Sequence, residues 1–165
     1  MSPAIVAALA AAFLPMAAEA LRSRANERHL RAAGAVEPSG DVYALMQWSY
    51  PGAFVVMAAA AVHAGVTRLD ALGLALFLAA KALKYWAIGT LGTRWSFRVL
   101  VPPGSTRVTT GPYRWVPHPN YVAVAGELVG FAAMLNAGWP GALVTIWFVI
   151  LMGLRVRVEA RALAG

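Results

Sequence analysis

The chain contains no cysteine. That excludes a disulfide frame, a thiolate metal site and a cysteine nucleophile. Charge is scarce as well: 13% of the 165 residues are charged, where a soluble domain averages about 25%. Apolar residues take the place of charge, at 60% of the chain with a mean hydropathy of +0.63. Soluble domains run at roughly 45–50%, so the bilayer is the expected solvent for much of this chain. The length suits a single membrane domain over 1–165, with about four or five spanning helices and short connections.

The net charge of +7 does not point to nucleic acid. The basic residues sit in short clusters beside apolar runs, as topology signals and as attraction for anionic lipid. The first run, Pro3 to Leu21, carries Glu19 as its only charge. Ala18-Glu19-Ala20 fits a small-x-small cleavage pattern, but the positively charged segment that precedes a leader's apolar core is missing. The run is therefore expected to be a retained first helix. Arg22, Arg24, Arg28, His29 and Arg31 follow as an expected basic loop, which the positive-inside tendency assigns to the cytoplasm.

A second run extends from about Val42 to Val66, with Pro51-Gly52 interrupting its start and with Tyr43, Trp48 and Tyr50 suited to the headgroup belt. His63 within it reads as a packed or capping residue. Asp70 is placed to N-cap the third run, Ala71 to Leu91. Lys81 and Lys84 share a face of that helix; they either snorkel to the cytoplasmic interface or orient a ligand. Two further runs, about Asn120 to Leu135 and Trp139 to Leu154, are separated so tightly by Asn136-Ala137-Gly138 that they must form an antiparallel hairpin. Five helices put every basic cluster on one side, with only Arg68 in an outer loop.

Between the third and fourth helices the hydrophobic signal stops. The densest polar and aromatic stretch of the chain lies there, Gly111-Pro112-Tyr113-Arg114-Trp115-Val116-Pro117-His118-Pro119-Asn120-Tyr121. Its prolines forbid a regular helix, and irregular backbone bearing His and Tyr between membrane helices is where chemistry is expected. The fold class is thus all-α, a membrane bundle with an irregular cytosolic segment before helix four and a charged helical extension at the C-terminus. Residues 1–91 supply the first helices and residues 92–165 the catalytic part. The hairpin returns Arg155, Arg157 and Glu159 to the start of helix four. Arg155 and Glu159, four apart, share a helical face, either as a plain ion pair or with separate duties toward a ligand.

Gly111-Pro112-Tyr113-Arg114, His118-Pro119-Asn120-Tyr121 and Arg155-x-x-x-Glu159 together resemble the isoprenylcysteine carboxyl methyltransferase and phospholipid methyltransferase superfamily. The likeness is greatest to the short bacterial members, some of which are associated with O-methylation of long-chain alkylpyrones and alkylresorcinols, and it covers roughly Trp86 to Leu163. It implies S-adenosylmethionine at the cytosolic mouth of a cell-membrane protein, a lipophilic acceptor arriving from the lipid, and no metal. By the resemblance, Ser105, Thr106, Arg107, Val108, Tyr113, His118, Pro119, Asn120, Tyr121 and Glu159 contact the cofactor, Arg98 adds a polar contact, and Arg155 faces the reacting group. Pro117 stands where the family commonly has an arginine, and Ala160 where it often has a second glutamate, which leaves Glu159 to serve alone.

The implied reaction is methyl transfer to a carboxylate or hydroxyl oxygen of a prenylcysteine-like or long-chain alkylpyrone or alkylresorcinol acceptor. A carboxylate needs no base, whereas a hydroxyl must lose its proton. His118 has the intrinsic pKa of a base, and Glu127, an intramembrane carboxylate in helix four, either polarises an acceptor hydroxyl or pairs with Lys81 or Lys84. The alternatives are a phospholipid N-methyltransferase and an NADPH-dependent membrane reductase of the sterol type. Asn120-Tyr121 with Gly126-Glu127 echoes the latter, although there the Gly-Glu follows sooner.

Overall fold

The computed structural model describes residues 1–162, and within them the chain is five helices with no strand. Helix α1 (Pro3–Ala32) opens on Ser2, whose side chain accepts from the Ile5 N–H, with Pro3 where its missing N–H costs nothing. It then runs 30 residues, straight through the arginine cluster. The expected basic loop at Arg22–Arg31 is therefore a helix. The segment from Met16 to Ala33 contains no Pro or Gly and is rich in Ala, Leu, Arg and Glu, so nothing stops the helix until Gly34, at φ 82°.

Helix α2 (Tyr43–His63) likewise passes through Pro51-Gly52 without interruption. Helix α3 (Ala71–Leu91) is capped as expected, its Asp70 carboxylate accepting from the Gly73 N–H at 2.7 Å. Helices α4 (Pro119–Met134) and α5 (Gly138–Ala162) form the expected hairpin, with Asn136 in the left-handed region at φ 49°. Helices α1, α2, α3 and α5 are long and apolar enough to span a membrane. Helix α4 is shorter, at 16 residues.

Helices α3 and α4 run antiparallel, and the Asp70 N–H donates to the Met134 carbonyl at 2.9 Å to fix their ends together. Glycine makes the approach possible. A Cβ on Gly73 would lie 2.1 Å from the Met134 nitrogen, and one on Gly130 2.5 Å from that of Phe77. Small residues at a crossing are how membrane helices gain packing energy when no hydrophobic drive separates protein from lipid. Phe54, Phe77 and Phe131 fill the centre, with ring centroids 4.7 and 5.8 Å apart. This core holds the hairpin against α2 and α3, which leaves one end of the bundle to the polar segments.

Candidate active site

That end is closed by the connection from Gly92 to His118, irregular apart from single 3-10 turns at Gly92–Arg94 and Gly111–Arg114. Two devices fix it. The polar face of α1 reaches over it: Asn26 Nδ2 donates to the Trp95 carbonyl at 2.7 Å, and the Phe97 N–H donates to Ser23 Oγ at 2.8 Å. A single antiparallel bridge joins Val36 to Val101. At the second 3-10 turn, Gly111 sits at φ 55° where a Cβ would lie 2.4 Å from Thr90 Oγ1, so both the conformation and the space require glycine.

Below lies a cavity of about 740 Å³. Its mouth gathers Tyr113, His118, Asn120, Tyr121, Arg155 and Glu159. His118 Nδ1 lies 3.3 Å from Glu159 Oε2, the Tyr121 hydroxyl donates to Glu159 Oε1, and Arg155 Nε is 3.6 Å from that same oxygen. The hairpin thus brings the start of α4 and the end of α5 together, as their spacing predicts. Arg155 is buried; it also donates to the Phe97 carbonyl and lies 3.6 Å from Asp41 Oδ2. Two carboxylates therefore face one guanidinium. Burial, with the charge of Glu159 adding to it, pushes the Tyr113 hydroxyl up to about 12, so it stays protonated at neutral pH.

Arg98 lines the cavity too, paired with Glu37 at 2.6 Å and Glu27 at 3.6 Å, its guanidinium over the Tyr43 ring. Ser105, Thr106, Arg107, Val108 and Pro119 are not in the cavity wall. The stretch from Trp95 to Val101 lines the cavity, held there by Asn26 and Ser23 of α1. The Thr106 carbonyl accepts from Arg94 Nη1 at 3.2 Å, which ties its loop to the rim.

Lys81 and Lys84 do not snorkel. They are buried, at 7% and 2% exposure, between Glu19 of α1 and Glu127 of α4. Lys84 Nζ lies 2.7 Å from Glu19 and 3.4 Å from Glu127; Lys81 Nζ lies 3.0 Å from Glu127 and 3.7 Å from Glu19. Burying four charges is tolerable because they balance, and an interface position would have left both glutamates unpaired. Glu127 itself is fully buried outside the cavity wall, and the Tyr50 hydroxyl, from a residue in that wall, donates to it.

Sequence reasoning missed Asp41, which no spacing announces, and the clasp of Ser23, Asn26 and Glu27. The clasp had a signal: three polar side chains at helical spacing within the basic cluster. Tyr43, Gln47 and Tyr50, four and three apart, likewise formed a readable stripe, and all three line the cavity.

The family model that describes the isoprenylcysteine carboxyl methyltransferase (ICMT) family matches residues 72–165. The chain belongs to this family. The match begins in the first turn of α3 and takes in the whole irregular connection and the hairpin, so the N-terminal helices stand outside it. A protein of Bacillus subtilis (strain 168), described as uncharacterized protein YpbQ, is 36% identical over 89 residues, a stretch that makes up 54% of this chain and 53% of that protein. The chain thus matches about half the length of that relative. No solved structure matches it. An integral membrane protein of a methyltransferase family is what the helices and the family establish together.

Proposed function

We propose that this protein transfers a methyl group from S-adenosylmethionine to an oxygen of a lipophilic acceptor, at the cytoplasmic face of a bacterial inner membrane. The observation that carries the reading is the convergence of His118, Tyr121, Arg155 and Glu159 at the polar mouth of a cavity that continues into the bundle past Met16, Val124 and Phe148.

The mouth suits such a donor. Asp41 and Glu159 leave a surplus of negative charge around Arg155, which favours a cationic ligand. Asn120 Oδ1 is buried without a hydrogen-bond partner, an acceptor left for an amine or a ribose hydroxyl. Glu159 accepts from the donor's amine or hydroxyls, and the ring of Tyr121 offers π density to a sulfonium. When bound, that sulfonium supplies an already activated methyl group, so the protein's work is alignment and exclusion of water. Arg155 is fixed by the Phe97 carbonyl and by Asp41, and from there it stabilises negative charge on the acceptor oxygen. The basic residues gathered at this end of the bundle support its cytoplasmic orientation.

Ligand-dependent thermal stability in detergent tests the reading. S-adenosylhomocysteine is expected to raise the unfolding midpoint by several degrees at a hundredfold excess over Kd, and NADPH to leave it unchanged. A rise with NADPH alone would overturn the proposal.

A further inference from the structure

The cavity has a second polar station, one that the methyl-donor reading leaves unused. Arg155 Nη1 lies 3.9 Å from Met46 Sδ. Tyr50, the next residue of α2 on that face, is one turn further from the mouth, about 6 Å along the helix. Its ring packs against Phe54 and Phe148 at 5.0 and 5.1 Å, its hydroxyl proton is committed to Glu127, and Lys84 Nζ lies 5.2 Å from the ring centroid. Among the described residues no group donates to the Tyr50 oxygen. Tyr50 and Lys84 both line the cavity, and lone pairs are what the Tyr50 hydroxyl has left for a ligand there.

We propose that Tyr50, with Glu127 behind it, receives an uncharged hydrogen-bond donor, a hydroxyl or N–H on the lipophilic molecule that occupies the cavity. The charge count sets the class. Glu19, Glu127, Lys81 and Lys84 already balance and are paired at 2.7–3.7 Å. A carboxylate placed beside them adds a third buried anion to two cations, and the Tyr50 oxygen has no proton left to give it. A neutral O–H or N–H disturbs no charge and fills the unused acceptor. The groups facing the station from the neighbouring helices are Glu19, Lys81, Lys84, Tyr85 and Glu127.

The inference takes from the proposed function only that the cavity admits the acceptor, and the test keeps the two apart. The full chain in detergent is titrated with 4-dodecylphenol, with dodecanoate and with S-adenosylhomocysteine, each by calorimetry against micelles alone. The wild type is expected to bind the phenol at least tenfold more tightly than the carboxylate, and Tyr50→Phe to lose about tenfold in phenol affinity while keeping its affinity for the other two. Equal affinity of wild type and Tyr50→Phe for the phenol, or equal binding of phenol and carboxylate, overturns the station. If Tyr50→Phe does not fold, the wild type decides with 4-dodecylanisole, which lacks the O–H: it is expected to bind at least tenfold more weakly than 4-dodecylphenol, and equal affinity overturns the station. Failure of S-adenosylhomocysteine to bind, with the phenol still sensitive to Tyr50, defeats the methyl-donor reading alone.

Discussion

Glu159 meets His118 at the end of the connection, Tyr121 in the first turn of α4 and Arg155 one turn earlier on α5. On the proposed function its carboxylate holds these partners and also accepts from a ligand amine or hydroxyl. Glu159→Gln keeps the shape and removes the charge, and is expected to weaken S-adenosylhomocysteine binding by more than about tenfold in calorimetry. Arg155→Ala is expected to leave that affinity within about threefold while turnover falls by about two orders of magnitude. Wild-type turnover would remove Arg155 from the chemistry. Much of this was legible beforehand, because a hairpin of known length fixes which residues meet. Asp41 was not legible. Its neighbour Arg155 is more than a hundred positions away, and no local pattern reports such a contact.

The elements repeat the same division. The bounds of α3 agree with the sequence reading because Asp70 caps it and Gly92 ends it, both local events. At Arg22–Arg31 the structure has helix where a loop is expected, because arginine and glutamate favour helix once the chain leaves the lipid. Ser105–Val108 lies outside the cavity wall, where Trp95 to Val101 stands, and the grip of α1 on Trp95 and Phe97 is a long-range contact that no local pattern reports. The α3–α4 crossing depends on backbone contact at Gly73 and Gly130. Gly73→Ala forces the helices apart and is expected to cost about 1–3 kcal/mol or more, read as a lowered unfolding midpoint in detergent. Gly89→Ala, on the same helix with open space around it, is expected to cost nothing measurable; equal effects would deny the close approach.

Taken whole, the molecule is pinned at two levels. Glu19, Tyr50, Lys81, Lys84 and Glu127 join α1 to α4 inside the membrane, and α1 clasps the polar connection outside it. The absence of cysteine makes its orientation directly measurable. Thr106→Cys is expected to react with an impermeant maleimide only from the cytoplasmic side, and Thr67→Cys only from the other; the reverse pattern would turn the proposed topology over. The brevity of α4 reaches beyond the protein. Its 16 residues rise about 24 Å against a hydrocarbon thickness of roughly 30 Å, and Val122 and Val129 lie exposed on its flank. Lipid meeting that flank is expected to thin to match it, and on the proposed function this would lower the headgroups toward the cavity mouth and shorten an amphiphile's path to it. Turnover in vesicles of graded acyl length is expected to fall as the chains lengthen, and an unchanged rate would count against such thinning. On the proposed function, bilayer thickness would then act on this protein as a kinetic variable, alongside the concentrations of donor and acceptor.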